Sequence, residues 1–272
     1  MKRPLSFNTA PNLQDFIASY AILEIPEGET ESYFSPPLAK SGIIINIGKG
    51  NGRVSSKINE RDFFTANAVV TGQVTSPVYG ELVGEVKSLM VFFKPIGMHR
   101  LFRNDLSLLT NSSKTLSEFL GQKEADLLWK NLTTHSDNQL QIIILNEFFE
   151  KRVTTREEDI NFEKILDYIH NKQGDVSISE ILENLWYPRK TLERHFKKKV
   201  GLSPKVYAQI YRFKCLINFL EKNPGITWSQ LANNTGYFDQ SHMSRYVKEY
   251  LRVSPNSLAK LDMTFINYLL KR

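Results

Sequence analysis

The chain has 272 residues, 41% hydrophobic and 24% charged, with a net charge of +6, which bounds it to one large or two medium domains of soluble, globular composition. Its longest apolar runs, Ile43–Ile45 and Ile142–Leu145, are far too short to span a bilayer. The basic start Met1-Lys-Arg-Pro has no apolar segment behind it, so no signal peptide is expected; the single Cys215 points to a reducing, cytoplasmic setting.

The first half reads as strands. Ile43–Ile47, Val69–Val74 and Leu89–Phe93 are short β-branched or aromatic runs, punctuated by Ser35-Pro-Pro37, Gly48-Lys-Gly-Asn-Gly52, Ser76-Pro77 and Lys94-Pro95. Such strands suggest an antiparallel sandwich or barrel. Helices are expected near 115–121, 123–131 and 138–152. The last is apolar around most of its circumference and is expected to be buried on more than one side. Residues 152–160 are polar and aperiodic, and a linker is placed at 156–161.

From Phe162 onward the pattern is helical. Phe162, Ile165, Leu166 and Ile169 form one stripe. Gly174 breaks it, and Ser177 can cap a short helix with Ile178, Ile181, Leu182 and Leu185 inward. Pro188 restarts the chain. The helix that follows turns Leu192, Phe196 and Val200 to a core and Lys190, Glu193, Arg194 and Lys197 outward, and Gly201 ends it. Ser203-Pro204 opens a long helix with Val206, Ile210, Phe213, Ile217 and Leu220 on one side. Thr227 can cap another short helix, Gly236 gives a turn, and Asp239 can cap a last helix. That helix buries Met243, Val247 and Leu251 and presents Gln240, Ser241, Ser244, Arg245 and Lys248. His242 can face either outward, with these residues, or the preceding helix.

Two of these stretches repeat. Arg194–Gln209 lies over Arg245–Lys260 at an offset of 51 residues, with Arg, Lys, Ser, Pro and Ala coinciding at 194/245, 197/248, 203/254, 204/255 and 208/259. A short helix, a turn and a capped second helix form the helix-turn-helix plan. Charge concentrates in the same region. Residues 186–260 carry 14 Lys/Arg against 4 Asp/Glu, a net of +10, while residues 1–156 carry 17 against 16. A basic segment of this kind favours a polyanionic partner. In a major groove Gln can pair with adenine and Arg with guanine, while Lys mostly serves phosphates.

Leu192-x-Arg194-x-Phe196-Lys197, followed by Gly201-x-Ser203-Pro204, resembles the first motif of the DNA-binding domain of the AraC/XylS family of bacterial transcription regulators. Gly236-Tyr-Phe-Asp-Gln-Ser-His-Met-Ser-Arg245, followed by Lys248 and Ser254-Pro255, resembles its second. Trp186, Pro188 and Leu182 depart from the family pattern in the first copy, and Met243, Val247 and Arg252 in the second. More faintly, Val70-Thr-Gly-Gln73 with Phe92-Phe-Lys-Pro-Ile-Gly97 resembles the cupin-like sensor domain of one branch of that family.

The resemblance implies an α+β chain. Residues 1–155 would form a β-rich, cupin-like sensor or dimerisation domain with flanking helices, and 162–262 an all-α double helix-turn-helix domain, with a tail at 263–272. It implies DNA contacts from Lys190, Glu193, Arg194, Lys197, Gln240, Ser241, His242, Arg245 and Lys248. The expected partner is duplex DNA; RNA polymerase, a small-molecule effector and a second copy of the chain are further candidates, and a membrane is not. The five histidines are scattered and no His-x-His pair, phosphate loop or nucleophile elbow is visible, so neither a metal, a cofactor nor enzymatic activity is expected. A basic protein-interaction module and a cupin-like enzyme fused to a helical domain stay open as alternatives.

Overall fold

The computed structural model describes residues 4–48, 52–64, 66–153, 160–223 and 225–252. Within them the first half forms two antiparallel sheets. The larger carries β1 (Leu5–Phe7), β2 (Ile17–Ile25), β9 (Val86–Phe93), β4 (Gly42–Asn46), β7 (Ala68–Thr71) and β10 (Ser113–Thr115), in that spatial order. The smaller runs β3 (Thr30–Ser35), β8 (Val78–Val83), β5 (Arg53–Ile58) and β6 (Arg61–Phe64).

The central strands of the larger sheet, β2, β9 and β4, are buried on both faces over most of their length, which explains their long apolar runs. Successive side chains point to opposite faces. On β2, Ala21, Leu23 and Ile25 face the smaller sheet with Val54, Leu82 and Met90, whereas Tyr20 and Ile22 join Ile43, Ile45, Leu89 and Val91 beneath a layer of helices. The register pairs Ile22 with Leu89 and Ile43 with Val91. β7 stops at Thr71 rather than continuing to 74. Gly72 there sits directly against the Leu109 backbone, where a Cβ would collide.

The covering helices are α1 (Gly97–Phe102), α2 (Leu116–Leu120), α3 (Gln122–Thr134) and α4 (Asn138–Glu150), with a 3-10 turn at Leu106–Leu109. Thr115 and Glu118 form a capping box on α2, and Asp137 caps α4 through the Leu140 amide. α4 is buried on one face only: Ile142, Leu145 and Phe149 meet the sheet, while Leu140 and Ile143 are 44% and 50% exposed. The expectation of a helix buried on several sides fails because its apolar residues outnumber those one contact face can cover. Residues 49–51 of the Gly-rich turn, most of the linker at 156–161 and all of the tail at 263–272 lie outside the described residues.

The second half is helical: α5 (Ile160–Asn171), α6 (Ile178–Leu185), α7 (Arg189–Val200), α8 (Pro204–Lys222), α9 (Trp228–Asn234) and α10 (Gln240–Leu251). α5 starts at Ile160, so the last two positions assigned to the linker are helical. One buried cluster runs from between the sheets into the core of α5–α10. Polar contacts bridge the same junction. Arg100 on α1 meets Glu163 on α5 at 2.9 Å. The Thr110 hydroxyl donates to the Gly201 carbonyl at the end of α7, and Arg252 at the end of α10 donates to Asn59 Oδ1 at 3.2 Å.

Candidate nucleic-acid interface

α7 and α10 are built alike. Each has twelve residues, starts 51 positions from its counterpart and follows a short capped helix. Ser177 accepts from the Glu180 amide and Thr227 from the Gln230 amide, each closing a capping box. Asp239 caps α10 through the His242 amide at 2.7 Å. Pro188 makes no side-chain cap on α7, and its fixed φ of −63° leads the chain into the first turn instead. Gly201 and Arg252 occupy the same place after the two helices, and both are left-handed, with φ of 92° and 57°. The second copy therefore keeps the first copy's stop without its glycine.

Both helices are pinned by their buried sides to α8, a helix of 19 residues and so about 28 Å long. Leu192, Phe196 and Val200 of α7 are fully buried. The Phe196 ring lies 4.9 Å from Phe162 and 5.8 Å from Tyr207 on α8. On the other side, Phe213 of α8 meets Tyr250 of α10 edge-on at 5.0 Å, and Gln209 donates to the Tyr246 hydroxyl at 2.8 Å. Arg212 pairs with Asp175 in the turn before α6 and lies over the Tyr237 ring at 5.2 Å, joining both units at the middle of α8.

The outward faces carry the expected side chains. Lys190, Arg194 and Lys197 are exposed and Glu193 is half-buried beside them; Gln240, Ser241, Arg245 and Lys248 are exposed on α10. Two basic or polar groups are turned inward. Lys199 places its ammonium 4.9 Å from the centre of the Phe162 ring, which leaves Lys197 and Lys198 as the exposed members of the Lys197-Lys-Lys199 run. His242 is half-buried between Tyr237 and Tyr246 at 5.5 and 5.4 Å and accepts from the Phe238 amide at 3.4 Å, so its ring packs within its own unit.

Where the two halves meet there is a cleft of about 540 Å³. Lys40, Lys94 and Arg100 line it from the first half, and His170, Tyr207, Tyr211 and Lys214 from the second, with Asp15, Glu163 and Asp167 among them. The sequence offered no sign of it, because its walls come from residues as far apart as 15 and 214. Among the described residues no group of three His, Cys, Asp or Glu is placed to hold a metal ion, and no helix is long and apolar enough to cross a membrane.

His170 in this cleft stacks on Tyr211 at 4.3 Å, and its Nε2 is hydrogen-bonded to the Tyr207 hydroxyl at 2.7 Å. Burial, with the Lys214 ammonium nearby, holds its pKa down at about 4. A histidine depressed in the folded state contributes stability above its unfolded pKa near 6.5 and loses it as pH falls through about 4. Acidification across that window is expected to lower the unfolding free energy by on the order of 1–3 kcal/mol through this group. His99, also lowered by burial, adds to the same trend. Denaturant titrations of the protein and its His170→Gln variant between pH 7 and 4 measure this. A slope unchanged by the substitution would show that the ring is not the titrating group.

Residues 182–261 match a helix-turn-helix domain model, which takes in both reading helices. The C-terminal part of the chain is therefore similar to helix-turn-helix domains. Residues 6–115 match a domain of unknown function, DUF6597. The Msm operon regulatory protein of Streptococcus mutans is 29% identical over 93 residues, which is 34% of this chain and 33% of that protein. The chain therefore spans about a third of the length of that relative.

Among solved structures, ToxT from Vibrio cholerae is similar at 11% identity and a TM-score of 0.47, over 88% of this chain and 96% of that one. ToxT from strain SCE256 with a bound unsaturated fatty acid gives 15% and 0.43, over 94% and 95%. The AraC-like transcriptional activator CuxR gives 16% and 0.36, over 80% of each chain.

Proposed function

We propose that the chain is a sequence-specific DNA-binding transcription regulator whose AraC-type domain reads two adjacent major grooves. The observation that carries this is the repetition itself. Two twelve-residue helices, each apolar on one side and basic or polar on the other, are pinned to one rigid helix of 19 residues. Lys190, Glu193, Arg194 and Lys197 read or hold one groove; Gln240, Ser241, Arg245 and Lys248 do so in the next. His242 orders the start of α10 from within. Arginine suits guanine edges because its planar fork donates two parallel hydrogen bonds, and lysine suits phosphates as a point charge.

Residues 1–155 act in sensing or dimerisation, 162–262 in DNA reading, and 156–161 join them. The junction cleft supports a small-molecule effector, since a ligand there touches both halves at once. Exposed Leu127, Leu140 and Ile143 on α3 and α4 support a second copy of the chain as partner. RNA polymerase is the further partner this function implies, the cytoplasm its location, and it has no enzymatic step.

Arg194→Ala is expected to weaken binding at a preferred site by about 1–3 kcal/mol and to relax one base position. Neutralising Lys197 and Lys198 is expected to weaken all sequences alike and flatten the salt dependence. Salt-series binding to preferred and random duplexes separates the two. If Arg194→Ala weakens both duplexes equally, its base-reading role is wrong.

A further inference from the structure

Each helix-turn-helix unit displays one large aromatic side chain to solvent, beside its basic face. Trp186 is 91% exposed and Phe238 is 89% exposed, the two highest values for a large hydrophobic side chain among the described residues. Both stand at the turn that leads into a reading helix. Trp186 lies three residues before Arg189, the first residue of α7, and Phe238 lies two before Gln240, the first of α10.

Neither exposure is a by-product of a disordered sequence pattern, because each turn holds an aromatic pair of which one ring is used by the fold. Next to Trp186, Tyr187 is half-buried and its hydroxyl meets His195 Nδ1 at 2.6 Å. Next to Phe238, Tyr237 is buried under Arg212 and beside Tyr246. At the 51-residue offset, Trp186 lies over Tyr237 and Tyr187 over Phe238. The packed and displayed rings have exchanged places, yet each unit retains one of each.

Trp186 also sits where its own backbone resists it. It is the left-handed cap of α6, at φ 48° and ψ 47°. A residue with a Cβ is strained there, and glycine is not. A bulky, strained and solvent-exposed side chain contributes little to folding, which directs attention to what it meets outside the chain.

We propose that Trp186 and Phe238 are DNA-contact residues that lie against the major-groove wall and recognise thymine methyl groups at the edge of each reading frame. This rests on the DNA-reading function proposed above. The N-terminal end of a recognition helix is the end that meets base edges. The basic faces starting at Lys190 and Gln240 would hold the duplex against the same turns. Thymine is the base whose major-groove edge carries a methyl, and an aromatic ring is a partner for it. The two rings would then extend each base cluster on the side of the helix N-terminus, toward T-containing steps.

The test uses the full chain and a 40-base-pair duplex bearing its mapped site, with each dT replaced in turn by dU. That change removes one methyl and leaves the base-pairing edge intact. At a contacted position it is expected to lower affinity about fourfold, the worth of one buried methyl-sized group. Phe238→Ala should lower affinity for the dT duplex at least as much and abolish sensitivity at one dU position. Trp186→Gly should do so at another, while its thermal midpoint stays level or rises because the left-handed strain is relieved. If the wild type binds the site and both variants bind as tightly, or no dU position is coupled to either ring, the inference is overturned. If the wild type prefers no duplex over random DNA, the DNA-reading function falls and takes this inference with it.

Discussion

Inserting five base pairs between the two base clusters that the chain contacts is expected to cut its affinity by about a hundredfold or more. Two reading helices on one rigid support act as linked binding modules, and linkage is typically worth 10² to 10⁴ in affinity on the order-of-magnitude scale. α8, at about 28 Å, sets their separation near one turn of B-DNA, about 34 Å. Five extra base pairs rotate one cluster by about half a turn, so the second helix faces the wrong side. Ten restore the face but lengthen the span by about 34 Å, beyond the reach of a helix without a joint. Both insertions should therefore fall to the affinity of a single half-site. Competition binding with zero, five and ten added base pairs measures this. Unchanged affinity at five would mean that one unit alone reads DNA, or that α8 does not hold the two rigidly.

Phe196→Ala is expected to destabilise the C-terminal domain by about 3–5 kcal/mol, the usual range for emptying a fully buried phenylalanine site. Phe196 is 0% exposed and its ring is enclosed by Phe162 and Tyr207, from two other helices, so the void has walls that cannot easily close. The substitution removes no outward side chain of α7, so any loss of DNA binding should follow the loss of folded protein. Unfolding titrations monitored by far-UV circular dichroism give the free energy. A change below about 1 kcal/mol would show that α7 is not anchored through this ring.

Much of the second half was legible from residue spacing. Leu192, Phe196 and Val200 recur every four residues, and helical geometry alone puts them on one side. Ser177, Thr227 and Asp239 stand where unpaired amides of a first turn need acceptors, and each is used as a cap. Pattern reading was weaker where a contact joins distant residues. Lys199 follows two exposed lysines in the sequence, but its helical position turns it onto Phe162. Arg212 is one of several charged residues on α8, and only the Asp175 carboxylate and the Tyr237 ring give it a distinct role. Trp186 gave a composition cue without a conformational one, since nothing local announces a left-handed tryptophan. In the first half, β4, β7 and β9 were readable from β-branched or aromatic runs, whereas β2 and the strands of the smaller sheet carry no such run and were not. Which strands pair was not legible, because β9 joins β2 and β4 across 42 to 76 residues of chain, from Asn46↔Ser88 to Ile17↔Phe93.

The carbonyl of Gly201 and the side chain of Arg252 mark the far ends of the two reading helices, and each is held by the β-rich half, through Thr110 and Asn59. The two ends are thus tethered to different regions of one platform, the 3-10 turn and the hairpin between β5 and β6. An arrangement of α7 and α10 that suits DNA and one that suits the platform are therefore thermodynamically linked. Whatever factor a molecule bound near the junction imposes on affinity for DNA, DNA must impose on affinity for that molecule, because the linkage is reciprocal. Under the proposed function, the operator is itself an effector.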